Sequence, residues 1–375
     1  MRVVHLSSVH HRRDTRIFVK QCRSLVRAGC EVYLLVADGL GDENIDGVQV
    51  KDVGKPGSRI YRMLFSTRKI CRLAISLNAD ICHFHDPELL TISSTLRRAG
   101  SKVIFDSHED VPKQIANKPY MVPVFARVLS FLYAQYERYI CTRLSAVVAA
   151  TPFIREKFEK LVSSVIDVNN FPLLEELGAA VGEGFDPSRR EGVCYVGSIS
   201  PARGIKEIVA AMDLTRSCKV LRIGGNFYDP NFREEVKKSR GWKYVDELGF
   251  LTRDKIAEVF ACSRAGLVVL HPISNYLDAL PVKMFEYMSA GIPVICSDFP
   301  LWRDIVDQAN CGICVDPMSL ESIAQAMDYI EENPVEAEEM GRRGRAAVEN
   351  IYNWPREERK LLELYNALVP GRLPQ

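Results

Sequence analysis

Short runs of β-branched and other apolar residues alternate with longer stretches of helical period from the first residue onward. In the first half, positions 3–7, 31–37, 81–85, 102–106, 146–150 and 166–169 read as strands. Strand, helix, strand repetition of this kind predicts a parallel sheet with right-handed crossovers. Positions 171–192 turn Pro-, Gly- and Glu-rich without a strong period, which marks a candidate linker. The rhythm then restarts, with strands expected at 193–196, 219–223, 244–248, 266–270, 293–296 and 312–315. Positions 320–349 are helical in pattern, and Asn353, Trp354 and Pro355 break it before a last helix ending near Leu368. The expected fold class is α/β: two doubly wound parallel-sheet domains facing a cleft, with ligands at the carboxyl edges of the sheets.

One block stands out, N-Y-L-D-A-L-P-V-K-M-F-E-Y-M-S-A-G-I-P-V-I-C-S-D over 275–298. Pro281 fits the first turn of a helix, Met284, Phe285 and Met288 give it an apolar face, and Gly291-Ile292-Pro293 stop it before a strand. The preceding loop brings Asp278 and several backbone N–H groups to the helix start, where orphan donors and the positive dipole end attract an anion. Glu286 lies on the same helix. Two acids around an anion site suit a ligand that also carries hydroxyls, such as a ribose or a sugar. The plainer alternative is an ordinary α/β unit with Lys283 and Glu286 as a surface i,i+3 pair.

Polar residues gather at the predicted strand ends of the first half, in S-S-V-H-H-R-R-D-T-R, H-F-H-D-P-E-L-L and D-S-H-E-D. His10, His11, Asp14, Arg16, His85, Asp86, Glu88, His108 and Asp110 are therefore expected along one rim. Three readings are open for them. Imidazoles and carboxylates can ligate a metal, they can bind sugar hydroxyls, or Asp14, Asp86 and Asp110 can simply cap helices. In the second half, Y-V-G-S-I-S-P-A-R-G-I-K places Arg203 near a helix start, where a guanidinium can fork two phosphate oxygens or merely face solvent. Gly224 and Gly225 permit close backbone approach. Neither G-x-G-x-x-G nor G-x-x-x-x-G-K-[ST] occurs at a strand-to-helix junction, which argues against a dinucleotide dehydrogenase and a P-loop enzyme.

The bulk numbers narrow the partners. A net charge of +1 over 375 residues gives no global drive towards nucleic acid or an anionic membrane. No apolar run of membrane-spanning length occurs, so a cytoplasmic location is expected. The 11 cysteines sit mostly in apolar runs, as at Cys82, Cys194, Cys262 and Cys296, which suits reduced buried thiols. Cys311 and Cys314 form a lone C-x-x-C with no second pair for zinc.

Taken together, the motifs resemble the family 4 glycosyltransferases of the GT-B fold, in particular bacterial enzymes of O-antigen, capsule and exopolysaccharide synthesis. The carriers are D-T-R-I-F, H-D-P-E-L-L, D-S-H-E-D-V-P, Y-V-G-S-I-S-P-A-R-G-I, and the block from 278 to 294 with Glu286. W-P-R-E-E-R-K-L-L-E-L-Y-N-A-L is similar to the closing helix of that family, which returns to the N-terminal domain. The resemblance implies retaining transfer of a sugar from a nucleoside diphosphate sugar to a saccharide or polyprenyl-linked acceptor, with no metal or other cofactor. It implies an acceptor domain over 1–185, completed by 355–375, and a donor domain over 186–354. By matching positions, Glu286 holds the ribose, and Asp278 with Ala279 and Leu280 meets the donor sugar and phosphates. Arg203 binds the diphosphate and His108 faces the donor sugar. Phe250 and Leu251 flank the nucleobase, and Gly225 lies at the donor site. The remaining rim residues fall on the acceptor side.

Three departures from the family pattern stand out. Ser198 occupies the place of a second basic residue, Asp278 replaces a glutamate, and Ser7, Ser8, His10 and His11 replace a Gly-rich loop. The phosphate clamp then rests on Arg203 and the helix N-terminus, with Arg16 and Lys283 as candidate helpers. For the acceptor side, Arg59, Arg62, Arg68, Lys69 and Arg72 interleave with Ile60, Tyr61, Met63, Leu64 and Phe65, and positions 118–139 are rich in aromatics. Such a surface suits peripheral contact with an anionic membrane; the alternative is a core helix with a solvated basic face. Competing functions are a nucleotide-sugar epimerase or phosphorolytic enzyme of the same fold, a metal-dependent hydrolase using the histidines, and a non-catalytic binding subunit.

Overall fold

A computed structural model describes residues 1–117, 121–174 and 189–372. The chain divides into two compact units, Met1–Asn170 with Pro355–Gln375, and Phe171–Trp354. The expected division at 185/186, and much of the expected linker, lie outside the described residues.

The first unit holds an eight-stranded sheet: β1 (Arg2–Leu6), β2 (Glu31–Val36), β3 (Glu43–Ile45), β4 (Val48–Asp52), β5 (Ile81–Phe84), β6 (Lys102–Ser107), β7 (Ala146–Ala149) and β8 (Val165–Asp167), in the order β3-β4-β2-β1-β5-β6-β7-β8. All neighbours run parallel except β3 and β4. That hairpin escaped the sequence reading. Its turn is Asp46-Gly47, both with positive φ (48° and 81°), the combination that suits a two-residue turn with the right twist. The central strands are buried on both faces, which is why they read as unbroken apolar runs: Val3, Val4, Leu6, Ile81, Cys82 and Phe84 are all inaccessible. Strand order reverses between β1 and β5, so the crevice at their carboxyl ends is where an open sheet binds ligands.

The second unit is a six-stranded, all-parallel sheet: β9 (Val193–Val196), β10 (Leu221–Gly224), β11 (Val245–Gly249), β12 (Ala265–Val268), β13 (Val294–Ser297) and β14 (Gly312–Val315), ordered β11-β10-β9-β12-β13-β14. Here the reversal falls between β9 and β12. The helix Val282–Ser289 lies against β12, where the Tyr287 ring occupies the space a Cβ on Gly266 would need. Tyr287 Oη then accepts from the Val196 N–H over 3.0 Å, which ties this helix to the end of β9. The stretch of helical pattern over 320–349 forms two helices, Leu320–Glu332 and Pro334–Asn350, because Asn333 precedes a proline and leaves the helical region (φ −119°, ψ 64°).

The last helix, Trp354–Leu368, joins the first unit from Pro355 onward. Glu357 Oε2 accepts from Asn169 N over 2.7 Å, Lys360 Nζ lies 3.1 Å from Asp167 Oδ2, and the Tyr365 hydroxyl is buried 2.6 Å from His83 Nδ1. The cysteines are free thiols, mostly buried, but Cys262 is exposed, and Cys314 pairs across strands with Cys296 (Sγ–Sγ 3.8 Å) instead of with Cys311. Among the described residues no helix is long and apolar enough to cross a membrane.

Candidate functional site

In the second unit, three glycines end three adjacent strands. Gly197 N donates to Gly224 O (2.8 Å) and Gly225 N to Gly249 O (2.7 Å), which carries the pairing one residue past the strand ends, with Gly197 and Gly225 at φ near 142°. A Cβ on Gly225 would stand 2.0 Å from the Gly197 carbonyl oxygen. Only glycine permits this packing, and it leaves a ledge of bare backbone beside the strand reversal.

Lys283 reaches this ledge from the helix Val282–Ser289. Pro281 caps that helix from one position outside it, so Lys283 falls in the first turn. Its side chain points inward: the residue is 8% exposed, and Nζ lies 3.8 Å from the centre of the Tyr195 ring without a hydrogen-bond partner. Burial, with help from the Arg203 charge and against that of Glu286, lowers its pKa to about 7. The surface i,i+3 pair with Glu286 is therefore not formed. Glu286 instead accepts from Arg253 Nη1 at 2.7 Å, at the start of the helix Arg253–Cys262.

Arg203 ends a short helical turn and is half-buried over the Tyr276 ring (5.3 Å). Gly204 follows with φ 69°, and a Cβ there would lie 1.9 Å from the Val269 carbonyl oxygen, so this loop is pressed against the end of β12. Ser198 is exposed, and its carbonyl accepts from the Tyr195 hydroxyl (2.6 Å). Asp278 and Leu280 are half-buried in the loop before Pro281, which the Trp302 indole anchors by donating to Ala279 O (2.7 Å). Leu251 packs on Gly224, whereas Phe250 is 78% exposed. Two cations, bare glycine backbone, a helix start and one acid thus share the reversal point, a combination that suits a phosphate ester carrying hydroxyls.

The first unit builds its own rim. Asp86, expected as a ligand group or a cap, makes no helix cap; it turns back to the loop after β1. Oδ2 accepts from Ser8 N (2.5 Å), Ser7 Oγ (2.9 Å) and Val9 N (3.2 Å), and Oδ1 lies 2.9 Å from His10 Nδ1. Burial alone would raise its pKa, but the His10 contact and these donors hold it at about 2. Burial likewise opposes the charged His10 ring, and Asp86 more than offsets it, so His10 is raised. Glu88 accepts from Ser8 Oγ (2.6 Å) and Arg62 Nε (2.7 Å). The Ser7–His10 loop is thereby locked by two acids from the end of β5.

Beneath it runs a chain of imidazoles. Tyr365 Oη is 3.4 Å from His5 Nε2, His5 Nδ1 is 2.9 Å from His85 Nε2, and His85 Nδ1 is 3.3 Å from His108 Nε2. Asp106 Oδ2 lies 3.3 Å from His85 and 3.4 Å from His108. Burial lowers His85 to about 4 and pushes His5 and His83 well down, so these rings are neutral. Burial would raise Asp106, yet Arg16 and then His108 keep it well below the usual carboxylate range. His108 itself is half-buried, at the open end of the chain.

Four other rim residues are engaged apart from this cluster, Asp14 in the capping role that was one of its expected readings. Arg16 cannot assist a phosphate: it is buried, bidentate to Asp106 (3.0 and 2.7 Å), and donates to Val168 O (2.6 Å). Asp14 is a helix cap, accepting from Arg16 N and Ile17 N. Asp110 makes no cap bond and sits 3.1 Å from Lys157, which also holds Glu137. His11 is exposed and its Nδ1 accepts from Arg13 N (3.1 Å). The residues brought together are His10, His85, Asp86, Glu88 and His108.

His5, His83 and His85, or His85, Asp106 and His108, are close enough to share a metal. In the second set Asp106 Oδ2 already accepts from Gln21 Nε2 (2.7 Å) and Arg16 Nε (3.0 Å), so a bound cation would lie beside a guanidinium. In the first, the Tyr365 hydroxyl and ring-to-ring contacts already occupy most ring nitrogens. These groups fit a hydrogen-bonded network better than a metal centre. Asp106, Tyr365, Tyr195 and Arg253 were missed from sequence. The alternation His83-x-His85, which puts both rings on one face of β5, was a usable signal.

Residues 183–347 match the family described as "Glycosyl transferases group 1", and residues 15–166 match "Glycosyltransferase Family 4". The chain is 22% identical over 319 residues to a phosphatidyl-myo-inositol mannosyltransferase of Mycobacterium leprae, covering 83% of this chain and 80% of that protein. Its fold is similar to that of sucrose-phosphate synthase from Thermosynechococcus elongatus (TM-score 0.78, 16% identity, 98% of each chain). It is also similar to Anabaena HepE in complex with UDP (TM-score 0.74, 12% identity, 98% of this chain and 100% of that one).

Proposed function

The chain belongs to the family 4 glycosyltransferases and has their GT-B fold, and from that premise we propose that it transfers a sugar, with retention of configuration, from a nucleoside diphosphate sugar to a saccharide or lipid-linked saccharide in surface polysaccharide synthesis. The observation that carries the donor assignment is the glycine ledge beside two cations, Arg203 and Lys283, at the strand reversal of the second unit. Anabaena HepE, of similar fold, is described with UDP and with UDP-glucose, which supports a nucleotide-sugar donor for this chain as well.

Under this reading, Arg203 and the N–H groups at the start of Val282–Ser289 take the phosphate oxygens. Each such donor, held in place before the reaction, stabilises the departing diphosphate by about 3 kcal/mol. Glu286 accepts from the ribose hydroxyls, and Asp278 with Ala279 and Leu280 meets the sugar. Phe250 and Leu251 flank the base. In the first unit, His85 and Asp106 hold His108 in one orientation, and the Asp86 lock holds the Ser7–His10 loop, so that His108 and His10 present fixed donors and acceptors to a sugar. Every step so described uses side chains and backbone of this chain and routes nothing through a metal.

We assign the acceptor a membrane carrier on a separate ground. Ile60, Tyr61, Met63, Leu64 and Phe65 are exposed among arginines, and the helix Pro123–Cys141 exposes Val124, Phe125, Val128, Phe131 and Leu132. The other alternative holds only further along, where Thr67–Ser76 buries Ile70, Cys71 and Ala74 against the core. Arg62 is engaged by Glu88, which leaves Arg59, Arg68, Lys69 and Arg72 as the exposed basic groups of this patch.

A thermal-shift panel of nucleoside diphosphates and nucleotide sugars tests the donor assignment, because a ligand of the native state raises the melting temperature by mass action. A shift with UDP or GDP and their sugars, lost in Arg203→Ala, is the expected result. No shift with any nucleotide overturns it.

A further inference from the structure

A lysine amine buried without a hydrogen-bond partner destabilises a fold, whether it is charged or neutral. Lys283 is in that state, in the second unit, with Nζ inaccessible and unpartnered. Nζ stands 3.8 Å from the centre of the Tyr195 ring, whose face attracts a charged amine but offers it no hydrogen bond, and the end of the side chain passes the Gly197 backbone. What the position does offer is direction. A Cβ on Gly197 would meet Nζ at 2.9 Å, so Nζ stands directly under the ledge formed by the ends of β9 and β10. The other cation at the ledge, Arg203, is close enough to disfavour the charged lysine, and Glu286, whose charge favours it, is held by Arg253.

We infer that the Lys283 ammonium is the second cation of the diphosphate site, and that a nucleoside diphosphate takes up about one proton as it binds there. This rests on the donor reading above and extends it to a linkage between binding and pH. The proton comes from the buffer acid; the Nζ lone pair forms the new N–H bond, and no other bond changes. The groups facing Nζ are few. Arg203, from the turn after β9, opposes its charge, and Glu286, from its own helix, favours it. Cys194 and Tyr195 of β9 and Tyr287 of its own helix are held protonated by burial and stay neutral at pH 8. Two phosphate groups between Arg203 and Lys283 reverse the balance, because the charged amine then has acceptors and a compensating charge.

The site explains how a loop with Ser198 in place of a basic residue can still hold a diphosphate. Ser198 is exposed and carries no charge, whereas Lys283 reaches the same ledge from the helix on the other side of the reversal. The cation is supplied from beneath, through the gap that Gly197 leaves.

Titration calorimetry of the full chain at pH 8, in Tris and in phosphate-free HEPES, measures the protons exchanged from the difference in apparent enthalpy. At this pH the last ionisation of a nucleoside diphosphate, near 6, is essentially complete, so the nucleotide itself takes up little, and the proton that pyrophosphate still carries is accounted for by comparison with Lys283→Met. UDP, GDP and inorganic pyrophosphate are the probes. Uptake of about one proton with a nucleoside diphosphate, abolished in Lys283→Met together with a roughly 10- to 100-fold loss of affinity, is expected. Lys283→Met keeps the length and apolar character of the stem, and its melting curve reports folding independently. Nucleotide binding without proton uptake, and unchanged in Lys283→Met, overturns the inference and leaves the donor reading standing. Uptake with pyrophosphate but no binding of either nucleotide upholds the cation site and overturns the donor reading. No binding of any probe overturns both.

Discussion

Arg253 donates to Glu286 over 2.7 Å, so the acid that the family resemblance implies for the ribose hydroxyls carries a guanidinium in this structure. Arg253 is the more exposed partner and Glu286 the more buried one. The pair fixes the carboxylate at the flank of the helix.

From this pair we expect Glu286→Ala to weaken binding of UDP or GDP by about 1.5–3 kcal/mol, the range for a hydrogen bond to a charged group. Arg253→Ala should cost less, and the double variant should bind no worse than Glu286→Ala alone, since Arg253 acts through the acid. Calorimetry with the ribonucleotide and its 2′-deoxy analogue checks this. If the analogue is as sensitive to Glu286→Ala as the ribonucleotide, the carboxylate is not on that hydroxyl.

The buried imidazoles make the first unit acid-sensitive. His5, His83 and His85 have pKa values below the ordinary 6.5, with His85 at about 4, so they bind fewer protons folded than unfolded. Their contribution is fully present above pH 6.5 and is lost as pH falls towards 4. Asp86, at about 2, adds a further loss only below about pH 4. Urea midpoints recorded from pH 8 to 4 should therefore fall first between 6.5 and 4. Tyr365→Phe, which removes the hydroxyl beside His83 and His5, should cost about 1–2 kcal/mol at pH 7 without changing nucleotide affinity. A flat midpoint down to pH 4 would contradict the neutral, buried state of these rings.

Lys283 gives the opposite signature in the second unit. Its folded pKa of about 7 lies below the unfolded 10.5, so the folded state is penalised in full below pH 7 and progressively less as pH rises to 10.5. Lys283→Met should raise the melting temperature at pH 6.5, by an amount that corresponds to about 1–3 kcal/mol, and should raise it less at pH 9.5. Scanning calorimetry at the two pH values decides it; a stability loss at pH 6.5 would mean that the contact with the Tyr195 ring outweighs the cost of burying the charge.

Membrane contact is expected to need both the apolar and the basic parts of the surface. Flotation with vesicles containing anionic lipid at low salt should recover the protein, and Phe125→Ser with Phe131→Ser, or Arg59→Glu with Arg68→Glu, should each reduce recovery. The arginine variant should also lose the salt dependence, because screening acts on the charges alone. Equal recovery of all three proteins would sink the idea.

The sequence by itself determined the alternation of elements. Strands buried on both faces are continuous apolar runs, and the twelve strands expected from them are present within a few residues of their expected ends, while β3, short and at the edge, and β4, where Gln49, Lys51 and Asp52 are half-buried, are not such runs. It also located the loop and helix that carry Asp278, Lys283 and Glu286, because a proline start and a glycine stop are local signals. What side chains do with one another was decided by register and by strand order. The β1–β5 pairing sets His5 beside His83 and Asp86 against the Ser7–His10 loop, which no local pattern separates from a capping aspartate. A basic residue three places from an acid reads as a surface pair in any helix; only the packing of Val282–Ser289 on Gly266 and Tyr195 turned Lys283 inward and left Glu286 to Arg253. The physical reason is range: propensity and capping act within a turn or two, whereas the charge state and partner of a buried group depend on whichever chain segments the sheet brings alongside it.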